Sequence, residues 1–185
     1  MDALLARRRK RRRRGSVPSG RADLHVHSIF SDGAQHPDDI VRAAAGRVDV
    51  VAITDHDQIR GAQRARAFAH DHPELGVDVV VGEEISTLNG HLIGLYLSEL
   101  VPPGLSADKT IELIHAQGGL AVAAHPFHPI RGAARGHYSV GRMVPDLPLD
   151  AIEMIDDPFL ADVEITQAHL ASGNEQLVRL LARAS

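Results

Sequence analysis

Val48-Asp49-Val50-Val51-Ala52-Ile53-Thr54-Asp55-His56-Asp57 is an apolar run of strand length that ends in three consecutive ionisable residues. Branched apolar side chains dominate it, as expected of a strand. Its near-continuous apolarity suits a strand buried on both faces. Three ionisable groups in a row are costly to bury unless something pairs with them. The same pattern recurs along the chain. Runs of strand length lie at 22–28, 77–85, 91–97, 120–125 and 151–155. Helical patterns separate several of them, at 37–45, 59–70 and 106–117, and two more follow at 159–172 and 174–184. Pro37 opens the first helix with Asp38 and Asp39 in its first turn, where the helix dipole favours them. Ser106 reads as an N-cap and Gly118-Gly119 as a stop. Apolar strands joined by helices predict an α/β fold around a parallel sheet.

The chain has 185 residues, of which 44% are apolar and 24% charged, enough for one domain with a sizeable core. It has no cysteine, so disulfides and cysteine-based zinc sites are excluded, and a cytoplasmic location is the expectation. No apolar run of transmembrane length occurs, so no membrane partner is expected. The net charge of −4 conceals an uneven distribution. Residues 1–20 hold eight of the 20 basic and one of the 24 acidic residues, which leaves 12 against 23, or −11, for the rest. All eight basic residues are consecutive, from Arg7 to Arg14, and Gly15, Ser16, Pro18, Ser19 and Gly20 follow as a linker. Residues 1–20 therefore read as a basic arm and 21–185 as the domain. The arm could contact nucleic acid or another anionic surface, or be a dispensable tail or the product of a misassigned start codon. No apolar segment follows it, so it is a poor secretory signal.

There are 12 histidines but only four Phe, two Tyr and no Trp. Position makes the histidines informative. His25, His27, His56 and His125 fall at or near the C-terminal ends of predicted strands, as do Asp55, Asp57, Glu83 and Glu84. In a β/α barrel that end carries the chemistry. His25 and His27 share one side of their strand, roughly 7 Å apart, and can converge on one metal. Asp32 follows in Ser31-Asp32-Gly33, a segment that alone reads as a turn. A carboxylate beside a ligating histidine suits a role in orienting the imidazole. A glutamate at a strand end can bridge two cations, and hard divalent ions favour oxygen ligands. Glu83 reads as a solvated neighbour.

The ordered set Asp23-Leu24-His25-Val26-His27-Ser28, Ser31-Asp32-Gly33, Thr54-Asp55-His56-Asp57, Gly82-Glu83-Glu84-Ile85-Ser86, His91-Leu92-Ile93-Gly94, Ala124-His125-Pro126 and Ala151-Ile152-Glu153 resembles the polymerase and histidinol phosphatase (PHP) superfamily. The likeness is to its small stand-alone metal-dependent phosphoesterases and spans about residue 21 to the C-terminus. It implies a distorted (β/α)7 barrel with two or three divalent metals, Mn, Zn, Mg or Fe. Such a centre hydrolyses phosphate esters, whether nucleotides, oligonucleotides or small phosphomonoesters, through a metal-bridging hydroxide. Carried over by position, His25 and His27 hold the first metal, Glu84 bridges first and second, and His91 and His125 complete the second. Asp32 and His56 hold a third. Asp55 and Asp57 support the ligands from behind. Arg131 and Arg135 are candidates to grip a substrate phosphate, since guanidinium matches phosphate oxygens bidentately.

The chain departs from that pattern at its end. The family closes with a strand carrying Gly-Ser-Asp-x-His, and no Asp-x-His follows Glu153 here. The expectation is therefore an incomplete barrel, its last strand missing and one strand edge left unpaired. Two rival readings follow from the same residues. One is a truncated, catalytically impaired PHP-like module that binds metal. The other is a nucleic-acid-directed phosphodiesterase that uses Arg7 to Arg14.

Overall fold

The computed structural model describes residues 20–126, 140–157 and 160–165. The basic arm, Arg131, Arg135 and the helix expected at 174–184 lie outside them. In chain order the elements are β1 (Ala22–Val26), α1 (Pro37–Ala44), β2 (Val50–Ile53), α2 (Arg60–Asp71), β3 (Asp78–Thr87), β4 (Gly90–Leu95), α3 (Ala107–Ala116), β5 (Leu120–Ala123), β6 (Ala151–Asp157) and β7 (Leu160–Ile165). The helix ends follow their local chemistry. Ser106 caps α3 by accepting from the Lys109 amide, and His36 caps α1 by accepting from the Asp38 amide.

The seven strands form one sheet in sequence order. Pairs β1–β2, β2–β3 and β5–β6 are parallel, with α1 and α2 in the first two crossovers. The expected all-parallel sheet is corrected at two places. β4 runs antiparallel to both β3 and β5. Only Leu88 and Asn89 separate β3 from β4, a hairpin length that cannot carry a parallel crossover. β7 runs antiparallel to β6 over residues where a helix was expected. Ala161, Val163 and Ile165 alternate there with Asp162 and Glu164, the period of a strand. Among the described residues β1 and β7 are not paired with each other, so the barrel is incomplete. Also among the described residues, no helix is long and apolar enough to cross a membrane.

Two apolar clusters show how the sheet is layered. Val51 and Ile53 pack with Val41, Ala62 and Ala65 under the helices. Val50 and Ala52, pointing the other way, join Leu24, Val80, Ile93, Leu95, Leu120, Val122, Ala124 and Ala151. That second cluster draws on β1 through β6 and is the interior around which the sheet curls. Successive β2 side chains thus belong to different cores, which is why this strand is apolar throughout.

At the N-terminal ends of β5 and β6 a polar group fastens the helical layer. Buried Asp150 accepts from the Ala121 amide and from His115 Nε2 on α3, both at 2.8 Å through Oδ2. The Asp150 bond raises the His115 pKa above 6.5 against the opposing effect of burial. A raised folded-state pKa stabilises the fold fully below the unfolded value, and the gain is lost as pH rises through the folded one. The His115 side chain is 37% exposed, so the contribution is at most about 1 kcal/mol. His115→Gln should therefore lose stability relative to wild type at about pH 5.5, with the gap narrowing by about pH 8.5. Urea denaturation at the two pH values measures this, and a gap that widens with pH would contradict the assignment.

Candidate metal centre

The alternation that builds the interior also delivers the polar side chains to it. On β3, Val80 faces the interior, so Gly82 and Glu84 do as well, while Glu83 faces the other way. On β4, Ile93 and Leu95 face inward, and His91 shares their phase. On β6, Ala151 and Glu153 share a phase. Beyond β2, Thr54 and His56 continue the inward phase of Val50 and Ala52. Asp55 and Asp57 take the other side.

Two ligand candidates break simple alternation, and each has a backbone device. Leu24 lies in the interior cluster while Val26 packs on the outer one. The β1–β2 register shifts between Asp23 and Val26, and that irregularity brings His25 and His27 to the side Leu24 already faces. His125 follows inward-facing Ala124 and would point outward, but its φ of +31° turns it back.

Seven side chains then line one open cavity of about 430 Å³: His25, His27, Asp32, His56, Glu84, His91 and His125. They are the residues carried over above as metal ligands. Glu84 is at the centre, its side chain only 2% exposed. Its Oε2 lies 3.0 Å from Nε2 of both His25 and His27 and 3.6 Å from Nε2 of His56. Its Oε1 lies 2.9 Å from His91 Nδ1 and 3.0 Å from His125 Nε2. Oε2 therefore meets three imidazoles and Oε1 two others. Asp32, 68% exposed, reaches in from the β1–α1 loop to His27 Nδ1 at 2.8 Å and His56 Nε2 at 3.7 Å.

The electrostatics follow from this crowding. Burial opposes ionisation of Glu84, but bonds from His125, His25, His27 and His91 hold its carboxyl far below the usual range. Burial would lower His25, yet its bonds to Glu153 and Glu84 push it up to about 10. His27 is raised against burial by Glu84 in the same way. His56 is lowered by burial, and the neighbouring His27 and His91 add to that. One carboxylate thus anchors a cluster of nitrogen donors that crowd and repel one another when protonated.

This donor set fits divalent cations. Among the described residues, three groups have one donor atom per residue lying within 4.8 Å of one another: His25, His27 and Glu84; His27, Asp32 and His56; and His56, Glu84 and His91. The groups share Glu84, His27 and His56, so the positions are contiguous. Imidazole with carboxylate suits Zn²⁺, Mn²⁺ and Fe²⁺. Among the described residues, His125 Nδ1 is buried without a hydrogen-bond partner, while its Nε2 faces Glu84.

Asp55 fastens the loop after β1 and Asp57 fastens the backbone of β3. Asp55 is fully buried and accepts from the Ser28 amide at 2.7 Å, the Ser28 hydroxyl at 2.8 Å and the Ser31 hydroxyl at 2.9 Å. It ties down the loop that presents Asp32. Asp57, at φ +52°, accepts from the Ser86 amide at 2.7 Å, and its own amide donates to the Glu84 carbonyl at 3.0 Å. It clamps the backbone on either side of Ile85. Glu83, read above as solvated, is instead fully buried, and burial pushes its carboxyl up to about 7. Its outward phase sends it into the protein beside Val101, whose amide donates to Oε2 at 3.0 Å.

Sequence reasoning missed Glu153. It sits 2% exposed on β6, accepting from His25 Nδ1 at 2.9 Å and from the His125 amide at 2.6 Å. The available signal was its place two residues past the start of a buried strand, in phase with the interior.

The Asp55 pocket also explains a glycine. A Cβ on Gly61 would lie 2.0 Å from Asp55 Oδ2 and 2.8 Å from Ser28 Oγ. Gly61→Ala should cost about 1–3 kcal/mol of stability by overpacking. Equilibrium denaturation checks this, and a neutral substitution would show that Asp55 is not held where described.

Comparison with known proteins places this geometry in context. The family model for the PHP domain matches residues 23–140. An uncharacterized protein of Methanocaldococcus jannaschii is 40% identical over 148 residues, which is 74% of this chain and 81% of that protein. A phosphoribosyl 1,2-cyclic phosphate 1,2-diphosphodiesterase of Eggerthella lenta is 38% identical over 103 residues, 51% of this chain and 38% of its own length. Among solved structures, a proposed metal-dependent phosphoesterase of Bifidobacterium adolescentis superposes with a TM-score of 0.57 at 18% identity, covering 91% of this chain and 85% of that one. At that identity the last likeness is one of fold.

Proposed function

The chain belongs to the PHP domain family, and from that premise we propose that it hydrolyses phosphate esters with divalent cations held on Glu84. The observation that carries this reading is the convergence of five histidines and Asp32 on one buried carboxylate in one open cavity. His25 and His27 would hold one cation with Glu84 Oε2, and His91 and His125 a second with Oε1. His27, Asp32 and His56 offer donors for a third. When bound, such cations stabilise charge on phosphoryl oxygens and make water a nucleophile at neutral pH. The Mn²⁺, Zn²⁺, Mg²⁺ or Fe choice rests with ligand softness, and the mixed nitrogen and oxygen set favours Mn²⁺, Zn²⁺ or Fe²⁺.

The residues of the chain do the rest. Glu84 keeps the donor pairs on either side of it in one register. Asp57 holds the Glu84 strand, and Asp55 holds the loop bearing Asp32. Asp32 is the most exposed of these carboxylates, at the mouth where an ester would enter. A cavity of about 430 Å³ is at the small end for ligand sites and suits a nucleotide or small phosphomonoester. The diphosphodiesterase relative is consistent with a phosphate-ester substrate.

The test is metal content together with hydrolysis of p-nitrophenyl phosphate and bis-p-nitrophenyl phosphate in Mn²⁺. The full chain should bind about two cations or more and turn over at least one ester. Glu84→Gln should lower the rate by more than about 100-fold, since even residues behind metal ligands are worth 10–100-fold. A chain that binds no divalent cation, or a Glu84→Gln variant with wild-type rates, would reject this function.

A further inference from the structure

We propose that Glu153 is a positioning residue that decides which ring nitrogen of His25 is presented to a cation and holds His125 in its turned-back conformation. The inference rests on the metal-binding reading above. The His25 ring lies between two carboxylates. Its Nδ1 is 2.9 Å from Glu153 Oε1, and its Nε2 is 3.0 Å from Glu84 Oε2. An ionised carboxylate only accepts hydrogen bonds, so the ring must donate from Nδ1 to Glu153. Nε2 likewise donates to Glu84 as the ring stands, and a cation on Glu84 would take the place of that Nε2 proton, so Nε2, the atom beside Glu84 and His27, is the nitrogen that would face it while Nδ1 stays protonated on Glu153. A carboxylate behind a ligating imidazole fixes both its tautomer and its orientation.

The second oxygen of Glu153 is also committed. Oε2 accepts from the His125 amide at 2.6 Å, at a residue whose φ of +31° is unfavourable for a side chain with a Cβ. One buried side chain on β6 thus holds a residue of β1 and the residue that ends the β5 segment. β1 and β6 are not neighbours in the sheet. The His25–Glu153 bond therefore spans the curl of the sheet, where no strand pairing links the two.

Glutamine at this position has the same shape but one acceptor and one donor group. It can accept from the His125 amide or from His25 Nδ1, and its amide then opposes the other donor. Glu153→Gln should relax the preference for Nδ1–H at His25. The full chain is titrated with Zn²⁺ against a chelator of known affinity. Histidine ring ¹H–¹⁵N spectra are then recorded on the Zn²⁺-loaded protein, with His25→Asn used to assign the signal. Wild type should show His25 bound through Nε2 with Nδ1 protonated. Glu153→Gln should bind Zn²⁺ about 10–100-fold more weakly and lose that ring pattern. If Glu153→Gln does not fold, Glu153→Asp, which withdraws the carboxylate by one methylene, is read in its place with the same expectation.

Unchanged Zn²⁺ affinity would overturn the proposal, as would weaker binding with the His25 ring pattern intact, which marks a merely structural role. Wild-type protein that binds no Zn²⁺ or Mn²⁺ would overturn the metal reading and this proposal with it. Normal wild-type binding beside an indifferent Glu153→Gln variant overturns this proposal alone.

Discussion

Everything at the C-terminal end of this sheet depends on keeping Glu84 charged inside the protein. An isolated buried carboxylate is among the most costly groups a fold can hold, and it persists only when paired and hydrogen-bonded. Here the partners come from the β1 segment, which supplies His25 and His27, and from the β2–α2 loop, β4 and the end of β5, which supply one histidine each. No local segment could supply them. The carboxylate is therefore a constraint on strand register across the curled sheet. A one-residue slip in any of these strands would exchange the inward histidine for an outward apolar residue.

The two departures from regular geometry on the histidine-bearing strands serve that same constraint. The register shift in β1 and the left-handed backbone at His125 each move an imidazole from the phase its strand would assign to the phase Glu84 requires. Both strained or irregular segments are tied to carboxylates. Asp55 holds the loop after β1, and Glu153 holds the His125 amide. Backbone conformations of this kind persist where surrounding structure over-determines them. The carboxylates behind the histidines thus have an energetic role that the histidines alone do not disclose.

This division explains what could be read from the chain. Strands 1, 2, 3, 5 and 6 and all three described helices were legible, because apolar runs and caps are local signals. The ligand candidates were legible as a set because they end those strands in order. The direction of β4 was not read, although the two-residue Leu88-Asn89 connection dictates it, because the run at 91–97 looks the same in either direction. Residues 160–165 were misread as helical because a six-residue alternation is short enough to be absorbed into a longer helical pattern. Glu83 was read as solvated, and Glu153, although part of the Ala151-Ile152-Glu153 motif, was given no role. A single carboxylate in a strand looks solvated until the strand's phase and neighbours are known, and only the fold shows that both faces of β3 and the inner face of β6 are covered.

The two ends of the sheet are organised on different terms. At the N-terminal end of β5 and β6, Asp150 joins α3 to the sheet through His115, a contact made of one acid, one imidazole and one backbone amide. At the other end, five imidazoles crowd one central carboxylate; neighbouring carboxylates raise His25 and His27, while burial and the rings beside it lower His56. The first arrangement is satisfied as it stands. The second leaves nitrogen donors crowded around one anion, with His25 and His27 held above their ordinary proton affinity by Glu84 and by the carboxylates behind them, Glu153 and Asp32. A divalent cation on each side of Glu84 would replace that protonation with a fixed positive charge and relieve the repulsion between the rings. Stability can therefore be altered at the Asp150 end with little effect on the donors around Glu84, since sites without shared partners behave additively. Glu153 is the exception, because it is buried on β6 three residues from Asp150 and belongs to the His25 hydrogen-bond network at once.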